Sequence, residues 1–186
     1  MKKIILISGQ AQHGKTSTAH ILKEKFEENG NRVIILPFAK YIKQILKDFY
    51  GWDGIDKSDV WREKLQWLGT EKIRMEMKRP NFHVDRICDD IKIVEEDFDY
   101  IIIDDCRFIN EAYITKGNFP GKVYHIKVDR LGFESPLTEE QRNHPSERGM
   151  DGYVDYDNLI YAENGLDNLK REVLIYCEEL LNEDLY

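Results

Sequence analysis

Residues 4–16 read IILISGQAQHGKT, an unbroken apolar run followed by two glycines and a Lys-Thr pair. Apolar character without alternation over residues 3–8 predicts a strand covered on both faces, the condition of a parallel sheet. Gly9-x4-Gly14-Lys15-Thr16, directly behind such a strand and ahead of an amphipathic stretch, has the spacing of a phosphate-binding loop. Gly9, Gln10, Ala11, Gln12, His13, Gly14, Lys15, Thr16 and Ser17 are therefore the expected cradle for a nucleoside triphosphate. The glycines let backbone N–H groups converge on phosphate oxygens, and the following helix adds its positive N-terminal end. Lys15 would reach the β- and γ-phosphates, while the Thr16 hydroxyl would ligate Mg²⁺. His13 carries no such chemistry and is expected to face solvent.

Beyond the loop, KTSTAHILKEKFEENG predicts a helix stopped at Asn29-Gly30, and RVIILPF a second buried strand ended by Pro37. AKYIKQILKDFYG reads as a helix closing at Gly51, and residues 59–96 as largely helical with a break near Arg79-Pro80-Asn81. FDYIIIDD, GKVYHIKVD and DNLIYAENG predict three more strands; RFINEAYITKG and LDNLKREVLIYCEELL predict two more helices. Residues 130–153 are rich in charge and turn residues without an apolar period, which reads as a mobile loop or lid. This alternation predicts an α/β fold, a three-layer parallel sheet of about five strands with right-handed crossovers. It would form a single domain over 1–186, with a helical acceptor-binding insert at about 52–96 and a lid at about 130–153. Ligands in such sheets sit at the carboxyl ends of the strands. That edge collects Gly9–Thr16, Asp104-Asp105 and Asp129-Arg130.

A net charge of −8 argues against binding nucleic-acid polymers, whereas a small anion needs only a local basic site. Cys88, Cys106 and Cys177 are far apart, without CxxC or Cys/His metal spacing. They predict reduced thiols in a cytoplasmic setting, with neither disulfide nor zinc. No stretch approaches the ~20 apolar residues of a membrane span, and MKKIILISG is too short for a signal peptide. The oligomeric state is left open, a homodimer included.

A phosphate loop alone does not name a reaction. A GTPase would carry a guanine-reading Asn-Lys-x-Asp and a transporter-type ATPase a Ser-Gly-Gly signature, and the sequence holds neither. Its Asp129-x-x-Gly132 follows the fourth strand, where a GTPase switch would not lie. IIIDDCRF ends a buried strand in two carboxylates, and successive strand residues face opposite ways. One of Asp104 and Asp105 would then face a metal or an acceptor proton, unless both cap the helix near Arg107. In WREKLQWLGTEKIRMEM, Trp61, Leu65 and Leu68 fall at core spacing. Arg62, Gln66, Thr70 and Arg74 recur every four residues, as either an anion-reading wall or a solvated face. Arg130, Arg142 and Arg148 would close over a transferring phosphoryl group, which needs cations and the exclusion of water; each would otherwise be a surface charge. His144, in HPSE, reads as a positioning or structural group rather than a base.

GQAQHGKT, REKLQWLGTEKIR, DDCRFINEA, HPSE and DNLIYAENGLDNL occur in that order over roughly residues 4–170. Together they resemble the phage-type deoxynucleoside monophosphate kinases and their bacterial relatives. The resemblance implies a P-loop, nucleoside monophosphate kinase-like fold that moves the ATP γ-phosphoryl group to a (deoxy)nucleoside 5′-monophosphate. It implies ATP and Mg²⁺ as cofactors, and no nucleic-acid polymer or membrane as partner. By matching position it implies Arg62, Gln66, Thr70, Glu71 and Arg74 at the acceptor, joined by His144 and Glu147 from the lid-side motif. Through Asp-x-Arg-Phe it selects Asp105 as the metal-facing or catalytic carboxylate and puts Arg107 on phosphate. The implied catalytic set is then Lys15, Asp105, Arg107, Arg130 and Arg142, with Thr16 and Asp105 at the metal. His83 stands where relatives carry tryptophan, and the acidic pair at 104–105 is a second departure, so base specificity is left open. Two other readings keep the loop: a kinase of a non-nucleotide small metabolite with Asp105 as base, and a non-catalytic nucleotide-binding regulator.

Overall fold

The computed structural model describes residues 3–56, 58–163 and 165–183. Five strands, β1 (Lys3–Ser8), β2 (Val33–Ile35), β3 (Tyr100–Ile103), β4 (Val123–Arg130) and β5 (Asn158–Ala162), form one sheet. Their order is β2-β3-β1-β4-β5, and every neighbouring pair is parallel. The expected strands all form, and β1 lies at the centre. All six of its residues are buried, with Ile5 and Ile7 in one core and Ile4 and Leu6 in the other. That two-sided burial is why the run carries no polar alternation.

On the first face, α1 (Lys15–Glu28) and α8 (Leu166–Glu183) cover the sheet through Leu22, Phe26, Val173 and Tyr176. On the second, α4 (Phe82–Val94) and α5 (Ile109–Asn118) cover it through Ile87, Ile91 and Ala112. A third, smaller core joins α2 (Lys40–Tyr50), α3 (Asp59–Gln66) and the segment after α3. It is built from Ile42, Leu46, Trp52, Leu68 and Ile73, and it stands beside the sheet as one wall of the site. The helical region expected over 59–96 breaks at residues 77–81, beside Pro80. Its first half is unusual, because α3 runs without interruption into a ten-residue π-helix, Trp67–Glu76.

A polar bridge crosses the core beneath the phosphate loop. Ser8 Oγ donates to the Cys106 carbonyl (3.1 Å), so the His125 Nε2–H must be the donor in their 2.6 Å contact. Burial pushes His125 down to about 3, which keeps it neutral. The end of β1, the chain after β3 and the middle of β4 are thereby tied together.

The segment 130–153, expected as a mobile loop or lid, carries two short helices, α6 (Glu139–Asn143) and α7 (Pro145–Arg148). Thr138 caps the first and His144 caps the second, with Pro145 at the opening position of its only turn. These local devices leave no apolar period to read. Of the turn expected after β5, Asn164 lies outside the described residues. No helix among the described residues is long and apolar enough to cross a membrane.

Candidate active site

Residues 9–14 cross from β1 to α1 over the carboxyl ends of the strands. Gly9 has φ +147°, and a Cβ there would collide with the Val128 carbonyl oxygen of β4. Gly14 has φ +96° at the start of α1, and a Cβ there would lie 2.8 Å from Leu169 of α8. Gly9 is therefore required by close packing against backbone as well as by its conformation, and Gly14 by its conformation. The Lys15 ammonium donates to the carbonyls of Gly9 and Gln10, each at 2.8 Å. Burial, with the Arg107 guanidinium nearby, pulls Lys15 down to about 8. His13, expected in solvent, is instead only 5% exposed. Its Nδ1 lies 3.0 Å from both Asp129 Oδ1 and the Arg130 amide nitrogen, and its ring meets Phe133 edge-on. It fastens the loop to the end of β4, because this loop packs on the strand rather than projecting from it.

The two strand-end carboxylates divide their work against expectation. Asp105 accepts the amides of Phe38 (2.7 Å) and Ala39 (3.0 Å), supplying α2 with the cap its own N-terminus lacks. Loss of solvent, then the neighbouring Asp104, push the Asp105 carboxyl above the ordinary range. Asp104 accepts the Thr16 hydroxyl at 2.9 Å. The carboxylate presented to Thr16 is thus Asp104 and not Asp105, the alternation of the strand having been resolved the other way.

A cavity of about 590 Å³ runs from this carboxylate to the third core. Lys15, Thr16 and Asp104 line it together with Ile42, Trp52, Trp61 and Leu65 of the third core and with Arg62, Gln66, Thr70, Arg74 and Arg107. The four-residue stripe is therefore a wall of the cavity and not a solvated face. An α-helix turns in about 3.6 residues, so steps of four drift around its axis. All four line the cavity, Arg62 and Gln66 from α3 and Thr70 and Arg74 from the π-helix. Trp61 and Leu65 pack on the small core, as their spacing predicts, and face the cavity as well.

Arg74 is a buried member of that wall. It donates to Glu111 Oε1 at 2.5 Å, to the Pro80 carbonyl, and lies 4.0 Å over the Phe108 ring. Glu111 also accepts the amides of Arg107 (2.8 Å) and Phe108 (3.0 Å), closing the N-terminus of α5. Burial pushes the Glu111 carboxyl up to about 7, against the pull of Arg74 and the two amides. His83, on the same wall, donates from Nε2 to the Gly69 carbonyl (3.1 Å) and is pushed by burial down to about 4. Arg107 donates to the Ser146 carbonyl (3.3 Å) and to the Glu147 carboxylate.

Several expected residues lie elsewhere. Glu71 and His144 pair with each other at 2.9 Å and do not line the cavity. Arg130 lies over the Phe133 ring, away from both cavities. Arg142 and Arg148 line a second cavity of about 210 Å³ with Gln10, Ala11 and Glu147. Glu111 and Ser146 were not among the expected site residues, Asp104 stood only as the alternative to Asp105, and His83 only as a departure from the resemblance, although each lines the main cavity. Glu111 had a signal, since Glu three residues after a helix start is a capping position. The remaining three depend on contacts between distant segments.

No protein-family model matches the chain. A stretch of 122 residues is 29% identical to a deoxynucleoside-5′-monophosphate kinase of Escherichia phage T5. It covers 63% of this chain and 45% of the phage protein, so the match spans less than half of that relative's length. Among solved structures, the APS kinase CysC of Mycobacterium tuberculosis in complex with AMPPNP and APS is similar, with TM-score 0.54 and 12% identity. That match covers 95% of this chain and 97% of the other. A gluconokinase from Sinorhizobium meliloti gives TM-score 0.52 and 15% identity over 100% and 96% of the two chains. The parallel sheet with the phosphate loop on its central strand is thus a fold that this chain shares with these kinases.

Proposed function

We propose that the chain transfers the γ-phosphoryl group of ATP to a (deoxy)nucleoside 5′-monophosphate, giving the diphosphate. The observation that carries this reading is the continuity of one cavity from Lys15 and Thr16 to an aromatic wall. Its volume of about 590 Å³ is that of a small-molecule site, and its lining is both cationic and apolar. Lys15, Arg107 and Arg62 offer cations for phosphate, while Trp52, Trp61, Ile42 and Leu65 of the third core offer an apolar wall for a base. Identity to the phage monophosphate kinase supports the same acceptor class.

In this reading the backbone amides of the loop and the N-terminus of α1 hold the triphosphate, and Lys15 bridges its β- and γ-groups. Thr16 Oγ1 and Asp104 Oδ2 are hard oxygen donors of the kind Mg²⁺ takes alongside water and phosphate oxygens. Mg²⁺ held there would neutralise charge on the transferring group. Arg107 orients the acceptor phosphate, whose attacking oxygen is already anionic and needs no strong base. That suits the structure, since Asp105, the base an alcohol acceptor was expected to use, is committed to the amides of Phe38 and Ala39.

An ADP-release assay with ATP across the common ribo- and deoxynucleoside monophosphates, with gluconate and APS as comparison acceptors, tests the reading. Acceptor-dependent ADP release on at least one monophosphate, well above the comparison acceptors, is the expected outcome. Silence on every monophosphate sinks it.

A further inference from the structure

Glu71 and His144 do not reach the acceptor cavity, yet they connect to both of its polar walls. His144 Nδ1 accepts the Ser146 amide at 3.1 Å and lies 2.8 Å from Ser146 Oγ, which makes it the acceptor nitrogen. The ring proton then sits on Nε2 and points to Glu71 Oε1, 2.9 Å away on the π-helix. Ser146 passes the connection on. Its Oγ accepts from Gln66 Nε2 at 3.5 Å, and its carbonyl accepts from Arg107 at 3.3 Å. The next residue, Glu147, pairs with the same guanidinium.

A helix of four residues cannot hold its own geometry, because one turn does not repay its nucleation. Something outside α7 must fix where Ser146 and Glu147 stand. We propose that the Glu71–His144 pair is a positioning unit for Arg107. It fastens residues 144–147 to the π-helix, so that the Ser146 carbonyl and Glu147 carboxylate hold the guanidinium at the cavity. Arginine has a long, mobile stem, and a planar donor group gains affinity for phosphate when its orientation is fixed beforehand. Glu71 and His144 touch neither substrate nor reacting atoms; they act through Ser146, Glu147 and Arg107. The kinetic consequence rests on the proposed function, whereas the tether itself does not.

The test compares wild type, Glu71→Ala, His144→Asn and the double variant. Asparagine keeps the cap on α7 through its side-chain oxygen but is too short to reach Glu71. Each single variant should raise KM for the nucleoside monophosphate about tenfold while KM for ATP stays within about twofold. The double variant should be no worse than either single, because the same link is cut twice. Amide hydrogen exchange over residues 144–149 should quicken in both singles while the unfolding midpoint is kept. Wild-type acceptor KM in His144→Asn would make His144 a cap only and overturn the proposal. Equal shifts in both KM values, additive effects, or unchanged exchange would do the same. Failure of the functional reading looks different: wild type is then silent on all monophosphates, and the exchange measurement still decides the tether.

Discussion

The cation of the phosphate loop is held by its near neighbours along the chain, whereas the acceptor wall is held by residues from far away. Lys15 reaches the carbonyls six and five positions back. Arg74 meets Glu111 across 37 positions, Glu71 meets His144 across 73, and Gln66 meets Ser146 across 80. A local motif keeps its geometry as long as its strand and helix form. A wall assembled over distance depends on every link, so a change at one of its members moves groups that the change never touches. Damage to the loop should therefore cost chemistry and spare the fold, while damage to the buried Arg74–Glu111 link of the wall should cost both.

The sharpest contrast is Lys15→Met. Phosphoryl transfer should fall about 10³-fold or more with the unfolding midpoint and circular dichroism retained; turnover near wild type would break the donor side of the comparison. On the wall, Glu111→Ala leaves the Arg74 guanidinium and two amides without their buried partner. Urea unfolding should show a loss of about 3–5 kcal/mol, and replacing both members of the pair with apolar residues should recover most of it. A loss within experimental error would mean that the pair does not hold the wall.

The adjacent carboxylates test the comparison at a single strand end. Asp104→Asn should lower turnover on the order of 10²-fold at unchanged stability. Asp105→Asn should instead cost about 1–2 kcal/mol of stability, since the NH₂ that replaces one carboxylate oxygen cannot accept an amide. The reverse pattern would return the metal-facing role to Asp105. The smallest effect is a pH dependence. Lys15 is lowered from 10.5 to about 8, so between these values the unfolded chain keeps a proton that the folded chain has released. Stability from this group therefore rises with pH across that window, and affinity of the free protein for ATP weakens as pH passes about 8. Lys15→Met should flatten both trends, and an ATP affinity that stays constant to pH 10 would contradict the buried ammonium.

Much of the donor half was legible because its determinants are contiguous. Ile4–Ile7, Gly9, Gly14 and Lys15 each owe their role to the next few residues, and β1, β2 and β3 announced themselves by unbroken apolar runs. Arg62, Gln66, Thr70 and Arg74 were legible as a stripe, but the sequence could not say whether the stripe met a cavity or water. His13 was misplaced because nothing near it in the chain reveals that Asp129, Arg130 and Phe133 close around it. The loop expected over 130–153 hid two short helices whose stability comes from caps and tertiary ties, neither of which leaves a period.

The sequence by itself determined the parallel α/β sheet, the place of the phosphate loop and the strand edge where the chemistry collects. Those follow from periodicity and from glycine at positions where a side chain cannot fit. Only the tertiary structure decided which of two adjacent carboxylates faces Thr16, because that turns on the amides of Phe38 and Ala39, which engage Asp105 from a distant part of the chain. It likewise decided that Glu111 holds Arg74, and that Glu71 and His144 stand behind Arg107 rather than in the cavity. These are choices between partners far apart in the chain, and local spacing carries no information about them.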